Sequence, residues 1–275
     1  VQRPDEPNSK TFMLTREIIR VETALGYAHK PDRSWDYVCD RDRGIGYVRI
    51  TAFGRHTGDE LRRTLEQLQS EKIRGLILDL RFNPGGLLPA AVEVADLFVA
   101  KGRIVSTQGR NVKEQVWDAR LEGTFEGFTL AVLVNQYSAS ASEIVAACLQ
   151  DHQRAGVVGQ RTFGKGSVQN IIELEEGHSA LKLTTAGYHR PSGKEIDRQP
   201  DAKESDEWGV QPNEGLEVRL SEVETRRLAR AMQTRDSVRS GDPSEGTPER
   251  TKDPQFDKAL EYLRSEIGQQ PKQVA

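Results

Sequence analysis

Long apolar runs are missing from this chain. Nowhere do about 18 apolar residues follow one another, so no segment reads as a helix crossing a bilayer. Cysteine is scarce: Cys39 and Cys148 are the only two among 275 residues. They lie far apart without C-x-x-C spacing, which favours two unrelated buried thiols over a disulfide or redox pair. An excess of one charge is lacking as well, since 39 Lys and Arg against 42 Asp and Glu leave a formal net charge of −3. That balance gives no electrostatic reason to expect nucleic acid or an anionic membrane as partner. The five histidines (His29, His56, His152, His178, His189) show neither H-x-x-x-H nor H-x-H pairing, so the sequence offers no metal centre. The N-terminus, Val1-Gln2-Arg3-Pro4-Asp5, has neither an initiator Met nor a signal peptide. The chain therefore reads as an internal piece of a longer protein, with any targeting signal removed.

What is present suffices for one substantial domain with appendages: 36% hydrophobic residues and 29% charged ones. Residues 11–20 read as a strand, and Gly44 to Thr51 alternates apolar and polar side chains as a second. Leu61, Leu65 and Leu68 repeat at helical spacing within Asp59 to Lys72. Gly75 to Leu80 and Leu130 to Val134 are short continuous apolar runs, the mark of strands buried on both faces. Helices are expected after the Arg81-to-Gly86 turn, reaching about Ala100, and from about Ala141 to Gln150, and strands at Gly156 to Gly159, Ser167 to Glu175 and Ala180 to Tyr188. This alternation predicts an α/β fold with βαβ crossovers and a mostly parallel sheet. Ser221-Glu-Val-Glu224 is a capping box opening a helix to about Met232. Residues 234–253 read as a mobile polar linker, and Phe256, Leu260, Leu263 and Ile267 form the apolar stripe of a last helix.

Three turns could carry chemistry. Ser138-Ala-Ser140-Ala-Ser142-Glu143 joins a buried strand to a helix, where amides and the helix dipole favour a developing oxyanion. The same residues also form a capping box, a common structural device. Lys165 stands between Gly164 and Gly166, and burial on such a turn would dehydrate its amine and free it to act as a base. A solvated hairpin lysine is the plainer reading. Asn83-Pro-Gly-Gly86 ends the strand from Gly75 and offers backbone amides to an anion, or is simply a tight turn. Gly159-Gln-Arg-Thr-Phe-Gly164-Lys165 mimics a phosphate-binding loop, but Gly166 stands where Ser or Thr should follow, and a strand follows where a helix should. A histidine base is disfavoured, because His152 lies about three helical turns from Ser140.

The strings Ser138-Ala-Ser-Ala-Ser-Glu-Ile144, Thr162-Phe-Gly-Lys-Gly-Ser-Val-Gln169 and Asp79-Leu-Arg-Phe-Asn-Pro-Gly-Gly-Leu-Leu88 together resemble the C-terminal processing peptidases, or tail-specific proteases. The 25-residue step from Ser140 to Lys165 is also that family's. The resemblance implies a crotonase/ClpP-like core and a Ser/Lys serine endopeptidase. Ser140 is then the nucleophile, Lys165 the base and Gln169 the residue that orients the lysine amine. Ser138 and Ser142 have no catalytic role. The oxyanion hole would be the backbone amides of Ala141 and Gly86, with Gly85 as a substitute for the latter. Residues 1–20 would be the remnant of a PDZ-like domain with its linker, 21–220 the peptidase core, and 221–275 a C-terminal helical segment. The stretch Asp197 to Glu207 reads as a surface loop without a catalytic part.

The resemblance further implies polypeptide substrates with apolar C-terminal tails, no cofactor and an extracytoplasmic location. It leaves room for an adaptor or a second copy of the chain as partner. Two rivals stay open on the same fold: a non-catalytic binding or scaffold protein, and an acyl-CoA enzyme. The second would need a basic cluster for phosphates, which the sequence does not display.

Overall fold

The computed structural model describes residues 2, 8–17, 19, 21–110, 112–236 and 252–269. Along the chain run β1 (Ala24–Leu25), β2 (Ala28–His29), β3 (Trp35–Asp36), β4 (Val38–Asp40), β5 (Ile45–Ile50), α1 (Thr57–Ser70), β6 (Gly75–Asp79) and α2 (Leu88–Asp96). Then come β7 (Gly102–Gly109), β8 (Val112–Ala119), β9 (Thr129–Val134), α3 (Ala141–Asp151), β10 (Ala155–Gly159), β11 (Ser167–Leu174) and β12 (Ser179–His189). Helices α4 (Glu222–Asp236) and α5 (Pro254–Gln269) complete the set.

The main sheet has β5, β6, β9 and β10 side by side and parallel. Strands β1 and β4 pair antiparallel with β5. Its central strands are buried on both faces, which is why they read as unbroken apolar runs. Alternation along each strand then divides the core. Val48, Leu76, Leu78, Val132 and Val157 point to Leu61, Leu65, Leu68, Val94 and Val145 of α1, α2 and α3. Ile45, Tyr47, Ile77, Leu133 and Val158 point the other way, to Phe256, Leu260, Leu263 and Ile267 of α5. A fully buried leucine such as Leu263 contributes about 1.5–3 kcal/mol over leaving it in water.

The fold departs from the sequence expectation in several places. Strands β11 and β12 are where expected, but they form an antiparallel hairpin in a second sheet, ordered β11-β12-β7-β8. The β7–β8 pair was not anticipated. Only the middle of β7 is buried, so its apolar signal is short. No strand forms at residues 11–17 or 19, while Ile18 and Arg20 lie outside the described residues. Phe12, Met13, Leu14 and Ile19 are exposed there, with no neighbouring strand to accept the backbone bonds.

Helix ends also shift. α2 stops at Asp96 rather than near Ala100, and α4 continues to Asp236, absorbing residues 234–236 of the expected linker. Residues 237–251 of that linker lie outside the described set. Asp253, also assigned to the linker, instead accepts the Phe256 amide at 3.1 Å and caps α5. The cysteines form no disulfide with each other: Cys148 is buried in α3, with burial pushing its thiol up to about 12, whereas Cys39 is only half-buried.

Candidate active site

The turn from β9 into α3 is fastened from below by two serine hydroxyls. Ser138 Oγ donates to the Leu80 carbonyl at 2.8 Å and accepts the Asn135 amide at 2.9 Å. Ser142 Oγ donates to the Asn83 carbonyl at 2.9 Å. Both side chains are fully buried, so neither hydroxyl can meet a substrate. Ser140, between them, is only half-buried. Its backbone sits at φ 57°, ψ −114°, a strained conformation for a residue with a side chain. Its hydroxyl makes no cap hydrogen bond. The Glu143 amide goes instead to the Ser140 carbonyl at 2.9 Å. Of three serines in five residues, one is left free to react.

The Arg81–Gly86 turn approaches this serine from the end of β6. Asn83 is fully buried and sets the turn. Its Nδ2 donates to the Ile50 carbonyl at 2.8 Å, its Oδ1 accepts the Gly85 amide at 2.9 Å, and its carbonyl accepts the Ala139 amide at 3.0 Å. The Gly85 amide is therefore committed. The amides of Gly86 and Ala141 have no acceptor among the described residues. A Cβ on Gly85 would stand 2.8 Å from Ser140 Cβ and 2.9 Å from the Ala141 nitrogen, so only glycine lets the two turns meet.

The lysine turn is held to the serine turn by a residue the sequence presented as a cap. The fully buried Glu143 carboxylate accepts the Ser140 amide (2.8 Å) and the Lys165 amide (2.8 Å) on Oε2. Its Oε1 accepts the Gly164 amide (2.6 Å) and the Thr162 hydroxyl (2.5 Å). The amides of Ser140 and Lys165 thus share one oxygen, and their nitrogens sit within two hydrogen-bond lengths of each other. Burial pushes the Glu143 carboxyl above the usual range, while the Thr162 hydroxyl and the three amides pull it back down. Phe163 adds a direct tie, its amide donating to the Ser138 carbonyl at 3.0 Å.

Lys165 itself is exposed, the plainer of the two readings that its glycine-flanked turn allowed, and is not carried inward. Gln169 is also exposed, beside a register shift between Val168 and Gln169 in β11. No hydrogen bond joins the Ser140 hydroxyl to the Lys165 amine, nor Gln169 to Lys165. Such bonds are often long without substrate and tighten on binding.

Two further supports come from distant parts of the chain. Asp197 Oδ1 accepts the Gly166 amide at 2.8 Å, and the Arg198 amide donates to the Gly164 carbonyl at 2.9 Å. The stretch expected to be a plain surface loop therefore brackets Lys165 on both sides. Behind the Arg81–Gly86 turn, buried Arg81 binds Asp79 at 2.7 Å and Asp253 at 2.8 Å, and Tyr47 donates to Asp79 at 2.8 Å. Burial alone would raise the Asp79 carboxyl, but the adjoining Arg81 guanidinium outweighs it and holds the group below the usual carboxylate range.

A sequence profile of peptidase family S41 matches residues 44–214, a span containing both turns and the lysine strand. The chain belongs to peptidase family S41.

Among curated S41 relatives, the carboxy-terminal-processing protease of Bartonella bacilliformis is 42% identical over 263 residues, 92% of this chain and 57% of that protein. The chloroplastic carboxyl-terminal-processing peptidase 2 of Arabidopsis thaliana is 38% identical over 195 residues, 70% of this chain and 36% of that protein. A solved photosystem II D1 C-terminal processing protease superposes with a TM-score of 0.58 at 29% identity, over 83% of this chain and 56% of that one. The chain thus spans about half the length of the curated relatives it matches. The mixed α/β architecture around a mostly parallel sheet is that of the solved S41 structure. No helix among the described residues is long and apolar enough to cross a membrane.

Sequence reasoning missed Glu143 as a brace, Asn83 as the organiser of its turn, and the Asp197–Arg198 bracket. Only Glu143 left a local signal, its S-x-x-E spacing. The others act on partners between 31 and 59 positions away, which no local pattern reveals.

Proposed function

We propose that this S41 chain is the catalytic core of a serine endopeptidase, with Ser140 as nucleophile and Lys165 as general base. The observation that carries the reading is the contrast among three neighbouring serines. Ser138 and Ser142 have their hydroxyls buried and bonded, whereas Ser140 is strained, has no cap hydrogen bond and adjoins the Gly-Gly turn, with the Gly86 and Ala141 amides lacking acceptors among the described residues.

In the proposed reaction, neutral Lys165 takes the proton of the Ser140 hydroxyl as the oxygen attacks a peptide carbonyl. The amides of Gly86 and Ala141 hold the oxyanion, and the amine leaves with a proton from the lysine. Water, deprotonated by the same amine, then releases the acyl group. Gln169, four positions past the base, orients the lysine amine once substrate closes the site. Residues 1–20 are read as the remnant of a PDZ-like domain, 21–220 as the core and 221–275 as its helical appendage. The substrates proposed are unstructured or apolar-tailed polypeptides, and the place of action is outside the cytoplasm.

The deciding experiment is cleavage of an unfolded, apolar-tailed protein by the parent chain beside Ser140→Ala and Lys165→Ala. Activity lost in both variants with the fold retained supports the dyad. No cleavage by the full-length protein, with tail binding retained, would favour the binding-protein reading.

A further inference from the structure

Beside the two turns lies a cavity of about 380 Å³, within the roughly 300–1,000 Å³ typical of ligand pockets. Gln136 from the serine turn lines one side, and Thr162, Phe163 and Gly164 from the lysine turn line another. The remaining wall brings together three arginines far apart in sequence, Arg161, Arg198 and Arg219, with Trp208 and the carboxylates of Glu204 and Glu217 among them. This is the basic cluster that the sequence did not display.

The arginines are not equally occupied. Arg219 pairs with Glu217 at 2.8 Å. Arg161 donates to the backbone carbonyls of Trp208, Glu204 and Asp206, which orients its guanidinium without neutralising it. The Arg198 guanidinium has no hydrogen bond or ion pair among the described residues. Both Arg161 and Arg198 lie over the Trp208 ring, at 3.6 and 4.5 Å from its centroid. Two cations held against one indole repel each other, and an anion between them would relieve that repulsion. Burial pushes the Arg161 guanidinium down; Glu204 pulls it back up by more than the Arg198 charge lowers it, and Asp206 adds to that pull, so the exposed demand for an anion falls chiefly on Arg198.

A second observation points to the same occupant. Gln136 Oε1 is buried at the cavity wall with no hydrogen-bond partner, and a buried acceptor without a donor is costly. A peptide N–H would satisfy it. The cavity is also fixed relative to the base. Gly164, at φ +84°, is packed so closely that a Cβ would come 2.7 Å from Arg198 Cβ and 2.8 Å from the Trp208 ring.

We propose that this cavity is a specificity subsite of the proposed peptidase for a carboxylate-bearing residue of the polypeptide substrate. The carboxylate lies against the guanidiniums of Arg198 and Arg161, and a peptide N–H of the same segment donates to Gln136. The carboxylate is an acidic side chain or the chain terminus. This rests on the peptidase reading, because the segment must reach Ser140 for the subsite to select substrates.

The test uses matched apolar-tailed peptides, with Glu or Gln at successive positions around the cut and with free or amidated C-termini. Cleavage by the wild-type protein and by Arg198→Ala is compared, and affinity is read by calorimetry on Ser140→Ala protein. The expected result is a preference of about tenfold or more for one carboxylate peptide over its neutral match, expressed in KM. In Arg198→Ala the ratio falls to about one, and Arg198→Lys restores only part of it, since an ammonium lacks the planar fork. Arg226→Ala, on the exposed face of α4, leaves the ratio at its wild-type value.

A preference that follows the Glu position identifies an acidic side chain. One that disappears on amidation identifies the chain terminus. Cleavage without any carboxylate preference overturns the subsite and leaves the peptidase standing. A carboxylate preference in binding without cleavage of any peptide does the reverse. Equal affinities and equal rates throughout would remove the proposal.

Discussion

Replacing Ser140 by alanine deletes an oxygen that no other part of the described fold uses. Ser140→Ala should therefore leave the melting temperature nearly unchanged while cleavage falls by on the order of 10⁴-fold or more. Ser138→Ala and Ser142→Ala should behave oppositely: the first strands the buried Asn135 amide and costs about 1–3 kcal/mol of stability, the second removes one of two donors to the Asn83 carbonyl and costs about 0.5–1.5 kcal/mol, and both leave measurable turnover. Thermal melts beside kinetics separate the two patterns. Glu143→Gln should damage both properties. Its new NH₂ group must face hydrogen-bond donors on one side, whichever way the amide is turned. The expected loss is about 1–3 kcal/mol in stability and on the order of 10²-fold in kcat, because the serine and lysine turns lose their register. Full turnover in Glu143→Gln would show that the brace does not position the dyad. At this scale the sequence displayed Ser140, Lys165 and the Gly-Gly turn, since their neighbours in sequence form the motif. Glu143 was legible only as a cap. Its links to Thr162 and Gly164 span 19 and 21 positions and depend on how the chain folds back.

At the scale of elements, hydrophobic periodicity placed what is buried and missed what is half-exposed. Strands β6, β9 and β10 were legible because both faces are covered, and α1 and α5 because one stripe repeats at helical spacing. The pair β7–β8 was not, since β8 (with Lys113, Glu114 and Asp118) has no apolar alternation and only the middle of β7 is buried. Residues 11–17 and 19 failed in the opposite sense, offering strand-forming side chains with no partner strand among the described residues. The weight carried by α5 can be measured at Leu263, which sits at 0% exposure against the parallel sheet. Leu263→Ala should cost about 2–5 kcal/mol in denaturant melts. A change below about 0.5 kcal/mol, normal for a surface site, would mean that α5 is not packed as described.

For the whole molecule, the buried carboxylate behind the Gly-Gly turn sets a pH limit. Asp79 titrates below its unfolded value of about 3.9 because Arg81 stabilises its charge. The pair therefore contributes stability above that pH, and the contribution is lost as pH falls through the lower, folded value. In an acid titration followed by circular dichroism, the wild type should lose stability below about pH 4. Asp79→Asn should start about 3–5 kcal/mol less stable, with the Arg81 charge left short of a partner, and show a shallower decline across that window. An equal slope in both proteins would remove Asp79 as a source of acid lability. None of this was legible beforehand. Asp79 and Arg81 stood in the family-like string, but their partner Asp253 was assigned to a linker.

That partner lies 172 positions further along the chain than Arg81. A ribosome adding about 5–20 residues per second needs roughly ten to thirty seconds to cover that interval. Throughout it, Arg81 has emerged without Asp253, and one face of the parallel sheet waits for α5. The turn bearing Gly86 is then complete in sequence but unsupported from behind. Synthesis itself thus acts as a timer, separating the appearance of Arg81 and the Gly-Gly turn from the arrival of the helix and carboxylate that back them.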